Sequence, residues 1–385
     1  MEKEVIFVNP SERFDWGLIG SLRHIGFDVM VLSIEPNTIS ERIISDCIGV
    51  GIDPDNPNTY VKVPIIKACE DMSISLIERL CTTTETIIIV PRVFPRTFLK
   101  PRIKCFKILY FSPTPFYIFK AIGRISDKGL KRFKGILTGL GGLIYYYYKA
   151  LEYDIVLFRD PKSYEFARRV LNIRNIRFLP PVYAKIFSPT EGKKDLEHES
   201  LDIKPKNRYL LSVASIKTRR SDLYYINYLN TLAKYIKGVD FVVIGTSARD
   251  LSGLGIKKTL EPNMHLVGSI FNEDVLAFLY KNAIASIIPI ITPGQSNRLM
   301  ESLFHGTIPI TNELAVQYHL NIKNGFNAII ADLENISQMI PIIKNLIKND
   351  GYREILKNNV NTSYRMYLAH ALKSLKNFMN SLVND

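Results

Sequence analysis

Cysteine is scarce in this sequence, and its arrangement argues against two classes of site. The four cysteines stand singly in the first third of the chain, without a Cys-x-x-Cys pair or a Cys/His cluster. Disulfide scaffolds and structural zinc sites both need such clusters. We therefore predict no metal site and a reducing, cytoplasmic environment. The cysteines are Cys47, Cys69, Cys81 and Cys105.

Long apolar runs and a dinucleotide fingerprint are also missing. The chain has no apolar run of about 18 residues, the minimum for a membrane-spanning helix. Its first residues, Met1 to Glu4, do not begin a signal peptide. The absence of G-x-G-x-x-G argues against a dinucleotide cofactor. These absences predict a protein that neither spans a membrane nor carries a bound dinucleotide.

Acidic residues are too few to balance the basic ones, and the imbalance is local. The net charge is +13, and residues 91–135 contribute 12 Lys or Arg against one acidic residue, Asp127. Nine aromatic residues lie in the same segment. Basic and aromatic residues in alternation suit an anionic membrane surface, and they also suit nucleic acid. A solvated basic face over ordinary core aromatics explains the pattern equally well.

Length and element order predict two α/β domains. A chain of 385 residues with 46% hydrophobic content exceeds one ordinary core. Alternating strands and helices indicate parallel sheets with helices on both faces. The expected organisation is an N-terminal domain at 1–189, a charged aperiodic linker at 190–207, and a second domain at 208–350. The helices of 351–385 are expected to pack back toward the N-terminal domain.

The expected elements follow from apolar periodicity and turn residues. In the first domain, strands are predicted at 4–9, 27–34, 86–90, 107–111 and 154–158, and helices at 16–25 and 163–171. In the second domain, strands are predicted at 209–213, 240–245, 264–268, 285–290, 308–311 and 328–331. Helices are predicted there at 222–236, 272–282, 296–305 and 336–348, and a last helix from 352 to about 383.

The most informative stretch is 293–310, a polar turn followed by a short helix, a glycine stop and a buried strand. Gly294 and Gln295 supply the turn, and Ser296 or Asn297 caps the helix. A helix N-terminus that opens onto a loop suits a phosphate. Glu301, one turn further in, is placed to accept two ribose hydroxyls. Helix–glycine–strand units also occur in α/β proteins that lack such a site.

Arg298 is an unusual residue for the first turn of that helix, because the positive dipole end disfavours a cation. A bound phosphate would explain it, and so would surface exposure. Three further cations, Lys217, Arg219 and Arg220, lie in the loop after the strand at 209–213. A loop at the carboxyl end of a parallel strand faces the crevice where such sheets bind ligands, so these cations suit a diphosphate. An exposed basic loop is the alternative.

Two glycines follow buried strands, Gly245 and Gly268. A glycine allows a ligand to approach the backbone closely, and it also serves simple turns. The histidines His24, His265, His305, His319 and His370 stand singly and are expected to be structural. Asp15, after the first strand, is either an acceptor base or a helix cap.

The segment Met300-Glu-Ser-Leu-Phe-His-Gly-Thr-Ile-Pro-Ile310 resembles the nucleotide-sugar site of GT-B glycosyltransferases of the group-1 class. Within that class, the stretch 296–301 resembles the CgeB-like branch. Pro293 stands where the family commonly carries a second Glu. Residues 175–189 resemble the stretch that closes the family's first domain. The resemblance covers about 154–350, and the first 150 residues match in architecture alone.

The resemblance implies two Rossmann-like parallel-sheet domains facing a cleft, with the donor in the second domain and the acceptor in the first. It implies that Glu301, Arg219 and Lys217 act in the catalytic site, with Arg220 and Ser215 on the diphosphate. Ala214 and Ser215 replace the family's Gly-Arg pair, and the role of its Lys falls to Arg219 or Arg220, with Lys217 as the alternative. The other implied donor-binding residues are Gly245, Gly268, Ser269, Gly294, Gln295, Ser296, Asn297 and Arg298.

The function implied is that of a metal-independent, hexosyltransferase-like enzyme. It would move a sugar from a nucleotide diphosphate sugar to a glycan or lipid-linked acceptor, with no cofactor beyond the donor. Residues 91–135 would bring it to an anionic membrane as a peripheral protein, and nucleic acid is the less favoured partner. Two alternatives remain open: a nucleotide-sugar epimerase, and a non-catalytic module that binds nucleotide or nucleic acid.

Overall fold

The computed structural model describes most of the chain. The described residues are 4–10, 13–35, 45–54, 56, 60–69, 77, 79–80, 86–90, 105–111, 150–170, 172–187, 208–216, 222–253, 259–270, 272–290, 296–319 and 321–384. Several predictions therefore lie outside the described residues: the linker at 190–207, the cations Lys217, Arg219 and Arg220, the turn of Gly294 and Gln295, and all of 91–135 except 105–111.

The chain divides into two compact units. Unit 1 comprises Met1–Gly192, Thr292–Gln295 and Leu368–Asp385. Unit 2 comprises Lys193–Ile291 and Ser296–Tyr367. The end of the C-terminal helix is thus grouped with unit 1, and unit 2 continues beyond residue 350.

Unit 1 is built around a nine-stranded sheet of order β8-β7-β6-β5-β1-β2-β4-β3-β9. Its elements are β1 (Glu4–Val8), α1 (Arg13–His24), β2 (Asp28–Glu35), β3 (Ser45–Gly51), β4 (Tyr60–Cys69), β5 (Ile87–Val90), β6 (Phe106–Phe111), β7 (Ile155–Phe158), α2 (Pro161–Arg169), β8 (Ile176–Phe178) and β9 (Lys185–Phe187).

One strand of this sheet departs from the predicted parallel arrangement. β3 runs antiparallel to β4 and also to β9, whereas the strands from β8 to β4 in the sheet order pair in parallel. β3 is not predicted from the sequence, because its residues Ser-Asp-Cys-Ile-Gly-Val-Gly include two glycines and no continuous apolar run. Because glycine is poorly represented in strands, the pairing of β3 depends on its neighbouring strands rather than on its own local propensity.

The core of unit 1 lies on these strands. All four residues of β5 are buried, as expected for a strand covered on both faces. Tyr110 of β6, one of the nine aromatics in 91–135, is only 1% exposed. For this residue, the alternative of a core aromatic is the one that the structure supports.

Unit 2 contains a six-stranded sheet of order β12-β11-β10-β13-β14-β15. Its strands are β10 (Tyr209–Val213), β11 (Asp240–Ile244), β12 (Met264–Gly268), β13 (Ala285–Ile288), β14 (Pro309–Thr311) and β15 (Ile329–Ile330). Its helices are α3 (Asp222–Tyr235), α4 (Ala248–Gly253), α5 (Glu273–Asn282), α6 (Asn297–Phe304), α7 (Glu313–Tyr318) and α8 (Ile336–Lys348), and α9 (Asp350–Asn384) ends the chain.

All neighbouring strands in this second sheet pair in parallel. Apolar clusters cover both faces, one including Ile226 and Ile343 from α3 and α8, the other including Leu279 from α5. Each fully buried side chain of this kind contributes about 1.5–3 kcal/mol. The predicted α/β class with parallel sheets is therefore confirmed. Among the described helices, none is both long and apolar enough to cross a bilayer.

Candidate active site

The order of strands in unit 2 creates a topological switch point between β10 and β13. Renumbered within the unit, the order is 3-2-1-4-5-6, in which the chain reverses its winding direction at the central pair. Ligands of open α/β sheets bind outside the carboxyl ends of the strands at such a point. The ends of β10 and β13 and the starts of helices α3 and α6, which follow them along the chain, flank this crevice.

Helix α6 is fixed at both ends by its own sequence. Ser296 is the N-cap, and its hydroxyl accepts from the backbone N–H of Leu299 at 3.4 Å. At the other end, Gly306 adopts a left-handed φ of +69°. The N–H groups of Gly306 and Thr307 donate to the carbonyls of Leu303 and Ser302. This Schellman motif needs glycine, and a Cβ there would lie 2.2 Å from the Asn361 side chain.

The N-terminus of α6 offers hydrogen-bond donors to the crevice. The backbone N–H of Ser296 donates to Nε2 of His319 at 3.0 Å. Burial lowers the pKa of His319 to about 3, so this ring is neutral and its Nε2 accepts. The N–H groups of Asn297 and Arg298 have no acceptor within the described part of the chain. A helix start with open donors and a positive dipole is an anion-binding arrangement.

The structure explains the cation in the first turn of α6. Nη2 of Arg298 lies 2.7 Å from Oδ2 of Asp222, the first residue of α3. The same carboxylate oxygen accepts the backbone N–H of Ser215 at 2.8 Å. The Asp222 side chain is 1% exposed and that of Arg298 is 17% exposed. One buried carboxylate therefore joins the loop after β10 to the helix after β13, across the switch point.

Glu301 lies one turn into α6 and is half-buried. The hydroxyl of Tyr280, on α5, donates to its Oε2 at 3.0 Å. Burial, reinforced by the neighbouring carboxylate, keeps the pKa of Tyr280 well above its usual value. The tyrosine thus keeps its proton and remains a donor, which fixes the position of the Glu301 carboxylate.

The two loop glycines stand side by side at the same edge of the sheet. The N–H of Gly245 donates to the carbonyl of Gly268 at 2.6 Å. Gly245 has a φ of +96°, and a Cβ there would lie 2.8 Å from the carbonyl oxygen of Ala214. The close approach at Gly245 is therefore to the protein's own backbone. Gly268 has a φ of +82°, and a Cβ there would meet only Ser247, at 3.6 Å.

No three His, Cys, Asp or Glu side chains are grouped around a possible ion position in the described residues. The prediction that no metal is needed stays a prediction.

In unit 1, Asp15 is buried in an ion pair. It is the third residue of α1, and its Oδ1 lies 3.6 Å from Nη1 of Arg159, which follows β7. Both side chains are less than 5% exposed, and the guanidinium lies over the rings of Phe14 and Tyr110. A carboxylate held in this way stabilises a buried cation, and this arrangement does not favour a role as an acceptor base.

No protein-family model matches this sequence, and no curated protein matches it significantly. Solved structures do match. Sucrose-phosphate synthase from Thermosynechococcus elongatus is 12% identical over 100% of both chains, with a TM-score of 0.63. Anabaena HepE, solved with UDP and glucose, is 10% identical over 99% of this chain and 100% of that one, with a TM-score of 0.63. A trehalose-6-phosphate protein from E. coli, solved with UDP-2-fluoro glucose, is 10% identical over 98% of both chains, with a TM-score of 0.58.

The chain has the GT-B fold. The sheets of units 1 and 2, parallel except for the pairings of β3, are its two Rossmann-like domains, as the resemblance implied. At these identities the likeness establishes the fold, and the roles of individual residues depend on the site's own geometry.

Within the GT-B fold, the structure brings several of the predicted donor-site residues together. Ser215 and Arg298 meet through Asp222, and Gly245 and Gly268 are hydrogen-bonded neighbours. Asn297 and Ser269 are exposed. Glu301 is one turn from the helix start. Their roles in binding remain predictions.

Three residues at this site were missed by the sequence analysis. The sequence predicts Asp222 only as the start of a helix, Tyr280 only as part of a helix, and His319 as a structural histidine. Each meets its partner over a sequence distance of 21 to 76 residues. An acidic residue opening a helix after a basic loop was the one available signal, and it pointed to Asp222.

Proposed function

We propose that this protein is a glycosyltransferase that takes its sugar from a nucleotide diphosphate sugar. The observation that carries the proposal is the start of α6 at the switch point, with open N–H groups and with Glu301 one turn further in. An anion-binding helix end beside an acceptor of hydroxyl groups suits a phosphate attached to a ribose. HepE and the E. coli protein were solved with UDP and with a UDP-sugar, respectively, which supports this class of ligand.

In the proposed reaction, the bond from the sugar's anomeric carbon to the diphosphate breaks and a bond to an acceptor oxygen forms. The acceptor hydroxyl loses its proton, and the nucleoside diphosphate leaves with the bonding electron pair. Glu301 accepts from the ribose hydroxyls, and the loop of Gly268 and Ser269 lies beside the base. Contacts to the diphosphate come from the Gly294–Gln295 turn with Ser296 and Asn297, whereas Gly245 lets its strand end pass close to Ala214 beside this site.

The leaving group requires positive charge. Lys217, Arg219 and Arg220 would stabilise the charge that develops on the diphosphate, with hydrogen bonds from the Ser215 hydroxyl and the Arg298 guanidinium. In the proposed enzyme these cations and the helix end take the place of a divalent metal, and no cofactor other than the donor takes part. Activity that survives a chelator would support this, and restoration of a lost activity by Mg²⁺ or Mn²⁺ would contradict it.

The acceptor is proposed to bind to unit 1. A glycan is one class of acceptor, and a lipid-linked glycan is the other if residues 91–135 lie on an anionic membrane. A cytoplasmic, peripheral location would follow from the second class. Nucleic acid is not proposed as a substrate.

The first test is a thermal-shift panel of UDP-, GDP-, ADP- and CMP-sugars. A ligand at about 100 times its dissociation constant should stabilise the protein by roughly 2.7 kcal/mol. The donor that binds is then followed for hydrolysis without acceptor and for transfer to glycan acceptors. Binding without either reaction would favour a non-catalytic module, and conversion of the sugar to its epimer would favour an epimerase.

The Glu301→Ala variant tests the proposed ribose contact. Loss of a charged hydrogen-bond acceptor should weaken nucleotide binding by roughly 1.5–3 kcal/mol. The variant should keep the wild-type circular dichroism spectrum, because Glu301 is half-buried and belongs to neither apolar cluster of unit 2. Unchanged nucleotide affinity in a folded variant would remove Glu301 from the site.

A further inference from the structure

Tyr280 is held by three separate contacts. Its ring stacks on that of His305, with centroids 5.3 Å apart and planes at 20°. Its carbonyl accepts from the hydroxyl of Thr307 at 2.7 Å, and its own hydroxyl donates to Oε2 of Glu301 at 3.0 Å. The side chain is 1% exposed. Because this residue of α5 is held by contacts from α6, from the end of α6 and from the turn before β14, its hydroxyl occupies a fixed position.

A fixed donor has a definite effect on the carboxylate that receives it. An ionised carboxylate offers about four lone-pair positions on two oxygens. One lone pair of Oε2 is used by Tyr280, which restrains rotation of the carboxylate plane. A long, flexible glutamate side chain would otherwise have to lose this freedom when a ligand binds, at a cost in affinity.

We propose that Tyr280 is a positioning residue for ribose recognition, in which its hydroxyl orients the Glu301 carboxylate to accept both neighbouring hydroxyls of the nucleotide's ribose. This inference rests on the proposed function, and it deepens it by assigning the preference for ribose over deoxyribose to the pair Tyr280–Glu301. Tyr280 acts through Glu301 and needs no contact with the ligand.

The test compares ribo- and 2′-deoxyribonucleotides. The wild-type protein is titrated with UDP, GDP, ADP and CDP, and the tightest of these is then compared with its 2′-deoxy form. The expected preference for the ribonucleotide is about 10- to 100-fold, the value of one hydrogen bond to a charged group. In Tyr280→Phe, this preference should narrow by about fivefold, because one net hydrogen bond orients the carboxylate.

A matched control is available in the same domain. Tyr209 is also buried, and its hydroxyl donates at 2.7 Å to the carbonyl of Leu279, the neighbour of Tyr280. Tyr209→Phe therefore removes a similar buried hydroxyl without touching Glu301. It should leave the ratio of ribo- to deoxyribonucleotide affinity at the wild-type value.

Two further variants complete the test. In a Glu301→Ala background, Tyr280→Phe should have no additional effect on the ratio, because the residue through which it acts is gone. Glu301→Gln keeps the size of the side chain but replaces one acceptor oxygen with a donor group. The ratio of ribo- to 2′-deoxyribonucleotide affinity should therefore fall toward one, although Tyr280 is still present. This variant tests the geometry even if Tyr280→Phe folds poorly.

The outcomes separate the inference from the proposed function. A ratio that stays at the wild-type value in Tyr280→Phe while Glu301→Ala abolishes it would overturn the role of Tyr280 and leave the proposed function intact. A full ratio in Glu301→Gln would also overturn the inference. If none of the four nucleotides binds the wild-type protein, both the proposed function and the inference fail.

Discussion

Replacement of Arg298 by leucine should destabilise unit 2 strongly, because it leaves the buried carboxylate of Asp222 without its cationic partner. Asp222 is 1% exposed, and its Oδ1 has no hydrogen-bond partner in the described residues. Without Arg298, the Ser215 N–H would be the one remaining described donor to this carboxylate. The protein would then have to keep a charge away from water with little compensation.

The size of the effect follows from the burial of the two partners. Removing one member of a buried ion pair costs about 3–5 kcal/mol. Since the Arg298 side chain is 17% exposed, water partly reaches the gap, and the lower end of about 3 kcal/mol is expected. With a urea dependence of about 2 kcal/mol per molar, the midpoint should fall by about 1.5 M.

A second substitution should repair the damage. In the double variant Arg298→Leu with Asp222→Asn, no charge is left buried, and the amide oxygen still accepts from Ser215. Replacing both members of a buried pair with neutral groups is often nearly neutral, so the double variant should recover to within about 1 kcal/mol of the wild type. The free energy of unfolding of the single and double variants gives the coupling between the two residues.

Two spectroscopic signals distinguish the unfolding of unit 2, which contains Arg298, from that of unit 1. The single tryptophan, Trp16, lies in unit 1, so its fluorescence follows that unit, whereas circular dichroism follows both. Arg208→Leu is the control, since it removes the exposed Arg208–Asp350 ion pair of unit 2 and should barely move the midpoint. A loss below about 1 kcal/mol in Arg298→Leu, or a double variant no more stable than the single one, would refute the reasoning.

Three other predictions concern pH, the basic loop and the membrane. The pKa of His319 is about 3 in the folded protein, against an ordinary value of 6.5. Between these two pH values the unfolded chain binds a proton that the folded protein does not, so the free energy of unfolding should fall as the pH drops from about 6.5 toward 3. The expected loss is about 2 kcal/mol between pH 7 and pH 5. Urea titrations of His319→Gln at several pH values should lack this part of the pH dependence. An equal change of the free energy of unfolding with pH in both proteins would contradict the prediction. Neutralising Lys217, Arg219 and Arg220 together should weaken calorimetric binding of a nucleoside diphosphate far more than that of the bare nucleoside, and an equal loss for both would limit the loop to other contacts. Finally, the protein should co-sediment at low salt with vesicles that contain acidic lipids and not with neutral ones; replacing Lys128, Lys131, Arg132 and Lys134 with glutamine should reduce this binding, and equal sedimentation of the two proteins would remove the membrane role.

The second domain was predictable because its signals are local. β11 and β13 are short segments with one polar residue each, Asp240 and Ser286, and their apolar residues predict the buried strands that the structure shows. Helix α6 has a serine cap, an apolar stripe and a glycine stop within ten residues of each other, so both its ends were predicted to within one residue. The same local pattern placed Glu301 one turn into that helix.

The contacts that organise the site were not predictable, because they depend on tertiary structure. Arg298 and Asp222 are 76 residues apart, and nothing in either segment indicates the other. The antiparallel strand β3 pairs with β9, where Val50 lies opposite Ile186, a residue far from it in the sequence. Such pairings follow from the completed fold, and a single sequence contains no local signal for them.

The ion pair between Arg298 and Asp222 also changes the expected charge of the donor site. Its two charges cancel, so the described residues at the switch point offer a diphosphate little more than the dipole of α6, equivalent to about half a charge. The burden of neutralising the leaving group therefore falls on Lys217, Arg219 and Arg220, and nucleotide diphosphate affinity should weaken with salt accordingly. The double variant of Arg298 and Asp222 has the same net charge as the wild type but lacks the guanidinium donors. If it retains diphosphate affinity, charge from the basic loop is sufficient for binding. If it loses affinity while it stays folded, Arg298 contributes through directed hydrogen bonds, and Asp222 serves to aim them.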